Sequence, residues 1–543
     1  MSLSWMSTLL LLILLAPLAG AALTALLPRS AARWVQLLAA GASLAAGLLF
    51  FAGYTGETAQ ADASAQGYFG YLSLPWIAAE GIDIRFSIGV DGISVFLVLL
   101  TPLLFTVLSL YDLKRRPEQE KLYYLMLLLL QTGLTGYFIS LDLLLFYVFF
   151  ELVLIPGSFL IGLWGGERRQ EAAMRFFLYT LAGSLLMLIA ILYLAMYTVP
   201  EVFTTDYLAI AAAIADPARG GFPLQVQHWL FAAFAISFAI KSPLFPFHSW
   251  QPLAYAESST SGSILMAALM SKMGVYGFIR FGVALFPDAA QIFAPWIAAL
   301  AVISILYGAW MAVIQTDLKR LIAFSSLSHI GFIILGVFAF NKEALSGAVL
   351  QMTAHGLATA ALFFLADMLY ARHGSYDLRS YQGMARLAPR YTALFMVAVL
   401  ASVGLPGLSG FVGEFMILLG AYGSPVLHRA LSVLATAGVV LAAVYLLDMF
   451  RRVMFGKSRP ELEARSSDLD GRETAVLLPL TILMFWIGLN ATPFLSYIND
   501  DTGRMLIQID PSFDPSQMPA NLEDLPQEPE PAAPSPETAP QEP

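Results

Sequence analysis

The chain has 543 residues, of which 58% are hydrophobic and 12% charged, with a formal net charge of −9 and no cysteine. That composition excludes an ordinary soluble domain, and the lack of thiols excludes disulfides, thiolate nucleophiles, zinc ribbons and cysteine-held iron–sulfur clusters in this polypeptide. Neither a G-x-G-x-x-G nor a G-x-x-x-x-G-K-[ST] pattern occurs, so no nucleotide site is legible.

About fourteen apolar stretches are long enough to cross a hydrocarbon core of about 30 Å as helices. They fall near 5–26, 31–53, 87–111, 122–140, 142–163, 172–197, 227–247, 258–285, 291–314, 321–340, 344–371, 391–420, 430–454 and 473–495. The expected fold is an all-α integral membrane protein. A β-barrel is excluded, because its strands would be short alternating segments rather than continuous apolar runs. No Lys or Arg precedes the first run, so it reads as a retained helix rather than a cleaved signal.

Loop charges predict the orientation. Arg29 and Arg33, Lys114 to Arg116, Arg168 and Arg169, Lys319 and Arg320, the run from Arg372 to Arg390, and Arg451, Arg452 and Lys457 occupy alternate loops. The intervening loops are neutral or acidic, with Glu57, Asp62, Glu80, Asp288 and Glu343. The positive-inside rule then places both termini away from the cytoplasm. From Ile498 onward the chain carries ten prolines and ten acids against one base, Arg504, and so accounts for the whole net charge. This segment is expected to be a solvated or strap-like tail, with too little apolar surface to fold alone.

Four charged residues lie inside the apolar runs: Glu151, Lys241, Lys272 and Glu414. Each costs roughly 2.5–3.5 kcal/mol at bilayer depth on insertion scales, so such residues mark ion or proton pathways by default. Two acids and two bases read as a proton relay. Glu151 and Lys241 are expected to pair. Lys272, at mid-helix, loses much of its preference for the charged form and can exchange a proton. His248, His329 and His355 also fall inside spans and are expected to support a hydrated axis, since imidazole titrates near neutrality. They lack the carboxylates of a metal site.

A weak internal repeat sets Phe177-Leu-Tyr-Thr-Leu-Ala-Gly-Ser184 against Val349-Leu-Gln-Met-Thr-Ala-His-Gly356. Downstream of each comes a helix that Pro or Gly must interrupt: Lys241-Ser-Pro-Leu-Phe-Pro-Phe-His248, and Val403-Gly-Leu-Pro-Gly-Leu-Ser-Gly-Phe-Val-Gly-Glu414. At membrane depth an unwound backbone is tolerated only where protein or a wet cavity satisfies it, and paired interruptions point to a transport site.

At these residues the chain resembles the antiporter-like membrane subunits of respiratory complex I, the proton-pumping NADH:quinone oxidoreductase. The likeness runs from about residue 85 to 455 and is strongest in Phe150-Glu-Leu-Val-Leu-Ile-Pro156, Phe177 to Ser184, Asp317-Leu-Lys-Arg-Leu-Ile-Ala-Phe-Ser-Ser-Leu-Ser-His-Ile-Gly331 and Gly404 to Phe415. The resemblance implies fourteen helices with two inverted five-helix repeats, helices 4–8 (residues 114–286) and 9–13 (residues 287–456), and breaks in helices 7 and 12. Residues 1–113 would hold helices 1–3, residues 457–497 a loop and helix 14, and 498–543 the tail. It assigns Glu151 and Lys241 to a coupling ion pair, Lys272 to the central carrier and Glu414 to the exit-side carrier. It implies no cofactor in this chain, with NAD, FMN, iron–sulfur clusters and quinone in partner subunits. Neighbouring antiporter-like subunits and membrane lipid would be its partners, with no nucleic acid, in a bacterial inner membrane. An Mrp-type cation/proton antiporter subunit, which usually has lysine where Glu414 stands, and a passive scaffold are the competing readings. One departure is visible. The family continues its helix-7 histidine as His-x-Trp-Leu-Pro-Asp-Ala-His, whereas here the segment is His248-Ser-Trp-Gln-Pro-Leu-Ala-Tyr255, followed by Glu257-Ser-Ser-Thr260.

Overall fold

The computed structural model describes residues 4–54, 67–199, 202–215, 222–458 and 460–509. The chain starts with α1 (Trp5–Leu26) and α2 (Ala32–Tyr54), followed by a hairpin of β1 (Phe69–Ala79) and β2 (Ile82–Val90). Next come α3 (Val95–Asp112), α4 (Glu120–Ile139), α5 (Leu143–Leu152), α6 (Leu154–Gly162), α7 (Arg169–Tyr197), the short strand β3 (Phe203–Thr204) and α8 (Tyr207–Ala215). The first divided helix is α9 (Leu224–Lys241) with α10 (Gln251–Glu257). A single rod then runs through α11 (Thr260–Leu265), a π-helical turn (Met266–Met270), α12 (Ser271–Gly277) and a second π turn (Phe278–Val283). The second half comprises α13 (Pro287–Val313), α14 (Leu318–Val337), α15 (Lys342–His373), α16 (Met384–Leu387), the second divided helix α17 (Pro389–Val403) and α18 (Ser409–Tyr422), α19 (Arg429–Met454), α20 (Pro460–Arg465), α21 (Gly471–Leu489) and α22 (Thr492–Ile509).

Among the described residues, twelve helices are long and apolar enough to cross a membrane. Both expected interruptions are present: α9 stops at Lys241 and α10 starts at Gln251, while α17 stops at Val403 and α18 starts at Ser409. Neither break leaves its backbone bare. The Trp250 indole donates to the Ile240 carbonyl at 3.0 Å, and Leu405 N–H returns to the Leu400 carbonyl at 3.0 Å. Two rods are enclosed on all sides: the one from Thr260 to Val283, and α15. The outer helices α1, α2, α7 and α19 instead turn Leu12, Leu38, Ile189 and Val440 outward, as a lipid-facing surface requires. Small residues let α15 and α18 touch. A Cβ on Gly413 would sit 2.5 Å from Gln351 Oε1 and 3.1 Å from the Gln351 backbone.

Two expectations need correction. The span expected over 87–111 begins only at Val95, because residues 69–90 form an antiparallel hairpin that β3 joins in parallel. The apolar alternation along Ile82–Val90 merges with the helix that follows it, which hid the strand. The segment from Ile498 is not all tail either: α22 continues to Ile509, burying Ile498, Thr502, Met505 and Leu506. The remainder of the expected tail, 510–543, lies outside the described residues.

Helix α22 is amphipathic and docks on the hairpin end of the bundle. Asp501 accepts from Gly92 N–H at 2.6 Å and pairs with Arg504, and Ser346 and Thr502 hydroxyls meet at 2.8 Å. Burial, reinforced by Asp91 and offset by Arg504 and Arg280, pushes the Asp501 carboxyl up to about 7. A carboxyl raised on docking contributes stability that is complete at low pH and lost as pH rises through that value. Amide exchange of residues 492–509 is therefore expected to quicken as pH rises from about 4 to about 7 after correction for intrinsic rates, and Asp501→Asn to remove this dependence. Gly413→Leu is expected to lower the thermal midpoint of the purified protein by several degrees, through overpacking of about 1–3 kcal/mol.

Candidate functional site

The central feature is a line of side chains across the middle of the bundle. It starts at Lys272 on α12, which is fully buried. The π turn just before it leaves the Ala267 carbonyl open to side chains, and Lys272 Nζ donates to that oxygen at 2.7 Å. π turns of this kind recur at functional sites because they break the regular backbone ladder. The same Nζ lies 2.7 Å from His355 Nδ1 on α15. The His355 and His329 rings follow one another, with centroids 5.5 Å apart. His329, on α14, places Nδ1 2.7 Å from Glu414 Oε1 on α18, and Gln351 Nε2 donates to that oxygen at 2.9 Å. The Nε2 atoms of both histidines are buried without a hydrogen-bond partner among the described residues.

These contacts constrain the protons. With Lys272 as an ammonium, which can only donate, His355 Nδ1 accepts and a neutral His355 holds its proton on Nε2. With Glu414 as a carboxylate, which can only accept, a neutral His329 holds its proton on Nδ1 and leaves Nε2 bare. A free donor and a free acceptor therefore terminate the two halves of the line.

The remaining sequence candidates are arranged otherwise. Lys241 is buried at the end of α9, with Nζ 4.5 Å from the Phe150 ring centroid and 5.9 Å from that of Phe176. The expected direct ion pair with Glu151 is not formed: Lys241 Nζ and Glu151 Oε1 both lack a hydrogen-bond partner among the described residues. The helix break after Lys241 and the turn at Val153 between α5 and α6 hold the two ends apart, and aromatic faces fill the lysine's surroundings. His248 is not on the line. Its ring lies against Phe245 and Tyr307 and borders a cavity of about 320 Å³ shared with Arg168, Arg175 and Arg320.

Sequence reasoning missed several buried charges near span ends. Asp91 and Arg280 form a bidentate pair at 2.6 Å. At the opposite end, Asp367 accepts from Tyr111, Thr260 and Arg115. Lys319 Nζ donates to the Ser258 carbonyl at 2.7 Å. The run Asp317-Leu-Lys319 is legible as part of a motif, but its place in a basic loop gives no sign that Lys319 is buried. Among the described residues no group of His, Asp and Glu is arranged to hold a metal ion.

The family model described as NADH:quinone oxidoreductase/Mrp antiporter, transmembrane region, matches residues 140–443. The chain is 38% identical to NADH-quinone oxidoreductase subunit M of Rhodobacter capsulatus, covering 89% of this chain and 93% of that protein. It is 36% identical to NADH-ubiquinone oxidoreductase chain 4 of Marchantia polymorpha, covering 91% and 96%. Among solved structures, a chain of respiratory complex I from Thermus thermophilus with bound NADH superposes with a TM-score of 0.81 at 33% identity, covering 92% of this chain and 99% of that one. A chain of the Mrp complex from Dietzia shares the fold at a TM-score of 0.77 and 20% identity. The chain belongs to the family of antiporter-like membrane subunits found in NADH:quinone oxidoreductase and Mrp antiporters, with its named relatives being subunit M and chain 4 of complex I.

Proposed function

We propose that this chain is a proton-translocating membrane subunit of an NADH:quinone oxidoreductase, driven by electron transfer in other subunits. The observation that carries this reading is the Lys272–His355–His329–Glu414 line, with both outer contacts at 2.7 Å. In the proposed step Lys272 gives a proton to His355 Nδ1 and His355 releases the one on Nε2. His329 Nε2 takes that proton, and His329 passes its Nδ1 proton to Glu414. One proton moves from an ammonium to a carboxylate, leaving both ends neutral. A water bridging the protonated Nε2 of His355 and the bare Nε2 of His329 completes the path, since buried sites with polar partners hold water.

Glu151 and Lys241 act as the input that sets this line. Withdrawing or approaching the Glu151 charge alters the proton affinity of Lys241, and α9 packs directly on α12, where a Cβ on Gly274 would lie 2.4 Å from the Phe238 carbonyl. Residues 114–286 and 287–456 would be the two repeats that carry the two halves. The basic loops support a bacterial inner-membrane orientation with both termini outside the cytoplasm. NAD, FMN, iron–sulfur clusters and quinone would reside in partner subunits, making the assembly a translocase without redox chemistry in this chain.

Lys272→Met and Glu414→Gln are each expected to slow proton delivery through the line by roughly 100-fold, in keeping with the loss of a positioned proton donor. Reconstituted complex in proteoliposomes would show quinone reduction without matching acidification. Glu151→Gln and Lys241→Ala are expected to abolish coupled transport while the complex still assembles. Wild-type pumping in any two of these variants would exclude the relay.

A further inference from the structure

The relay needs a source of protons for Lys272, and the rod that carries it starts in a cleft of about 690 Å³. The cleft opens among Arg115, Arg116 and Arg169, at the basic end of the bundle, and its floor contains Asp367, Lys319 and Thr260. Asp367 and neighbouring Asp112 are both buried charges, and both pair with one cation, Arg115. Two acids sharing one guanidinium can hold a proton between them without leaving a bare charge. Each is joined to the start of the Lys272 rod. Thr260 donates to Asp367, and Ser261 Oγ donates to Asp112 Oδ2 at 2.9 Å, with the Tyr123 hydroxyl at 2.6 Å from the same Oγ.

From there to Lys272 is twelve residues, about 18 Å of helix, and the interval is lined with hydroxyls. Ser263 Oγ donates to the Tyr255 carbonyl at 2.7 Å. The Tyr255 hydroxyl donates to the Met266 carbonyl at 2.9 Å, with Gln251 and Ser271 beside it. Ser271 Oγ and Lys272 Nζ share the Ala267 carbonyl, at 2.9 and 2.7 Å. Along the same course Asp112 Oδ1, Ser258 Oγ and Gln251 Oε1 are buried without hydrogen-bond partners among the described residues. Buried polar atoms that protein leaves unpaired are satisfied by water, so this side of the rod has the bonding capacity for a file of waters.

We propose that this cleft is the proton mouth of the chain, that Asp112 and Asp367 collect protons there, and that Thr260, Ser261, Tyr255 and Ser271 pass them to Lys272. A carboxylate takes a proton from water at the mouth, each hydroxyl accepts one proton as it gives up another, and the last proton lands on neutral Lys272. In this chain an aspartate pair and a hydroxyl ladder occupy the route where Leu253 and Tyr255 stand in place of an acid and a histidine. The inference rests on the relay reading above.

The test uses the assembled complex in proteoliposomes, measuring protons pumped per electron for Asp367→Asn and Thr260→Val beside Lys272→Met. Both entrance variants are expected to lower the ratio roughly tenfold, most strongly at alkaline pH on the basic side, and azide, a small weak acid, is expected to restore it. Thr260→Val keeps the Arg115–Asp367 pair, so it decides the matter if Asp367→Asn fails to assemble. Unchanged pumping in Thr260→Val, or a loss that azide cannot restore, would overturn the entrance. Normal pumping in Lys272→Met as well would bring down the relay itself.

Discussion

A lysine amine enclosed by helices, with no carboxylate in contact among the described residues, is the condition that organises this molecule. Lys272 has a carbonyl and an imidazole for partners and nothing else among the described residues. A buried charge without hydrogen bonds would cost far more than any packing could return. The π turn exists at the one place where it frees the Ala267 oxygen. Helix α15 is enclosed from Ala344 to Leu369 because it has to bring His355 from the other side, and glycines at 347 and 413 let α18 follow with Glu414. The local backbone irregularity, the buried helix and the small-residue seam answer the same demand.

The first half solves the equivalent problem differently. Lys241 lies over aromatic faces, whose quadrupoles attract a cation without offering it a bond. Such a contact holds charge loosely. The second half is joined by short, charge-assisted contacts. A loosely held lysine responds to a distant charge, whereas a bonded line conducts between fixed partners. That contrast suits an input stage followed by a conducting stage, and it follows from the choice of Phe150 and Phe176 on one side and of His329, His355 and Gln351 on the other.

Much of this was legible before any coordinates. Charged residues inside apolar runs, prolines at Pro243 and Pro406, and the basic loops all speak through composition and spacing alone. What escaped were properties of tertiary contact. Glu151 and Lys241 have opposite charge and suitable depth, yet whether they touch depends on how two broken helices end. Asp367, Asp112 and Arg280 sit near span ends, where a charge usually meets water, and only the fold shows them covered. The strand Ile82–Val90 and the part of α22 from Ile498 onward were hidden by their neighbours: one adjoins an apolar helix, the other a Pro- and acid-rich stretch. His248 was misplaced for a similar reason, since a residue just past a helix break can turn to either side.

The paired imidazoles have one further implication. After a single transfer along the proposed line, His355 carries its hydrogen on Nδ1 and His329 on Nε2, the mirror image of the starting tautomers. The wire then points backwards. It cannot pass a second charge until both rings exchange their hydrogens or turn over, so the pair behaves as a turnstile that admits one particle per reset, and leakage is limited by chemistry built into two side chains rather than by a moving gate.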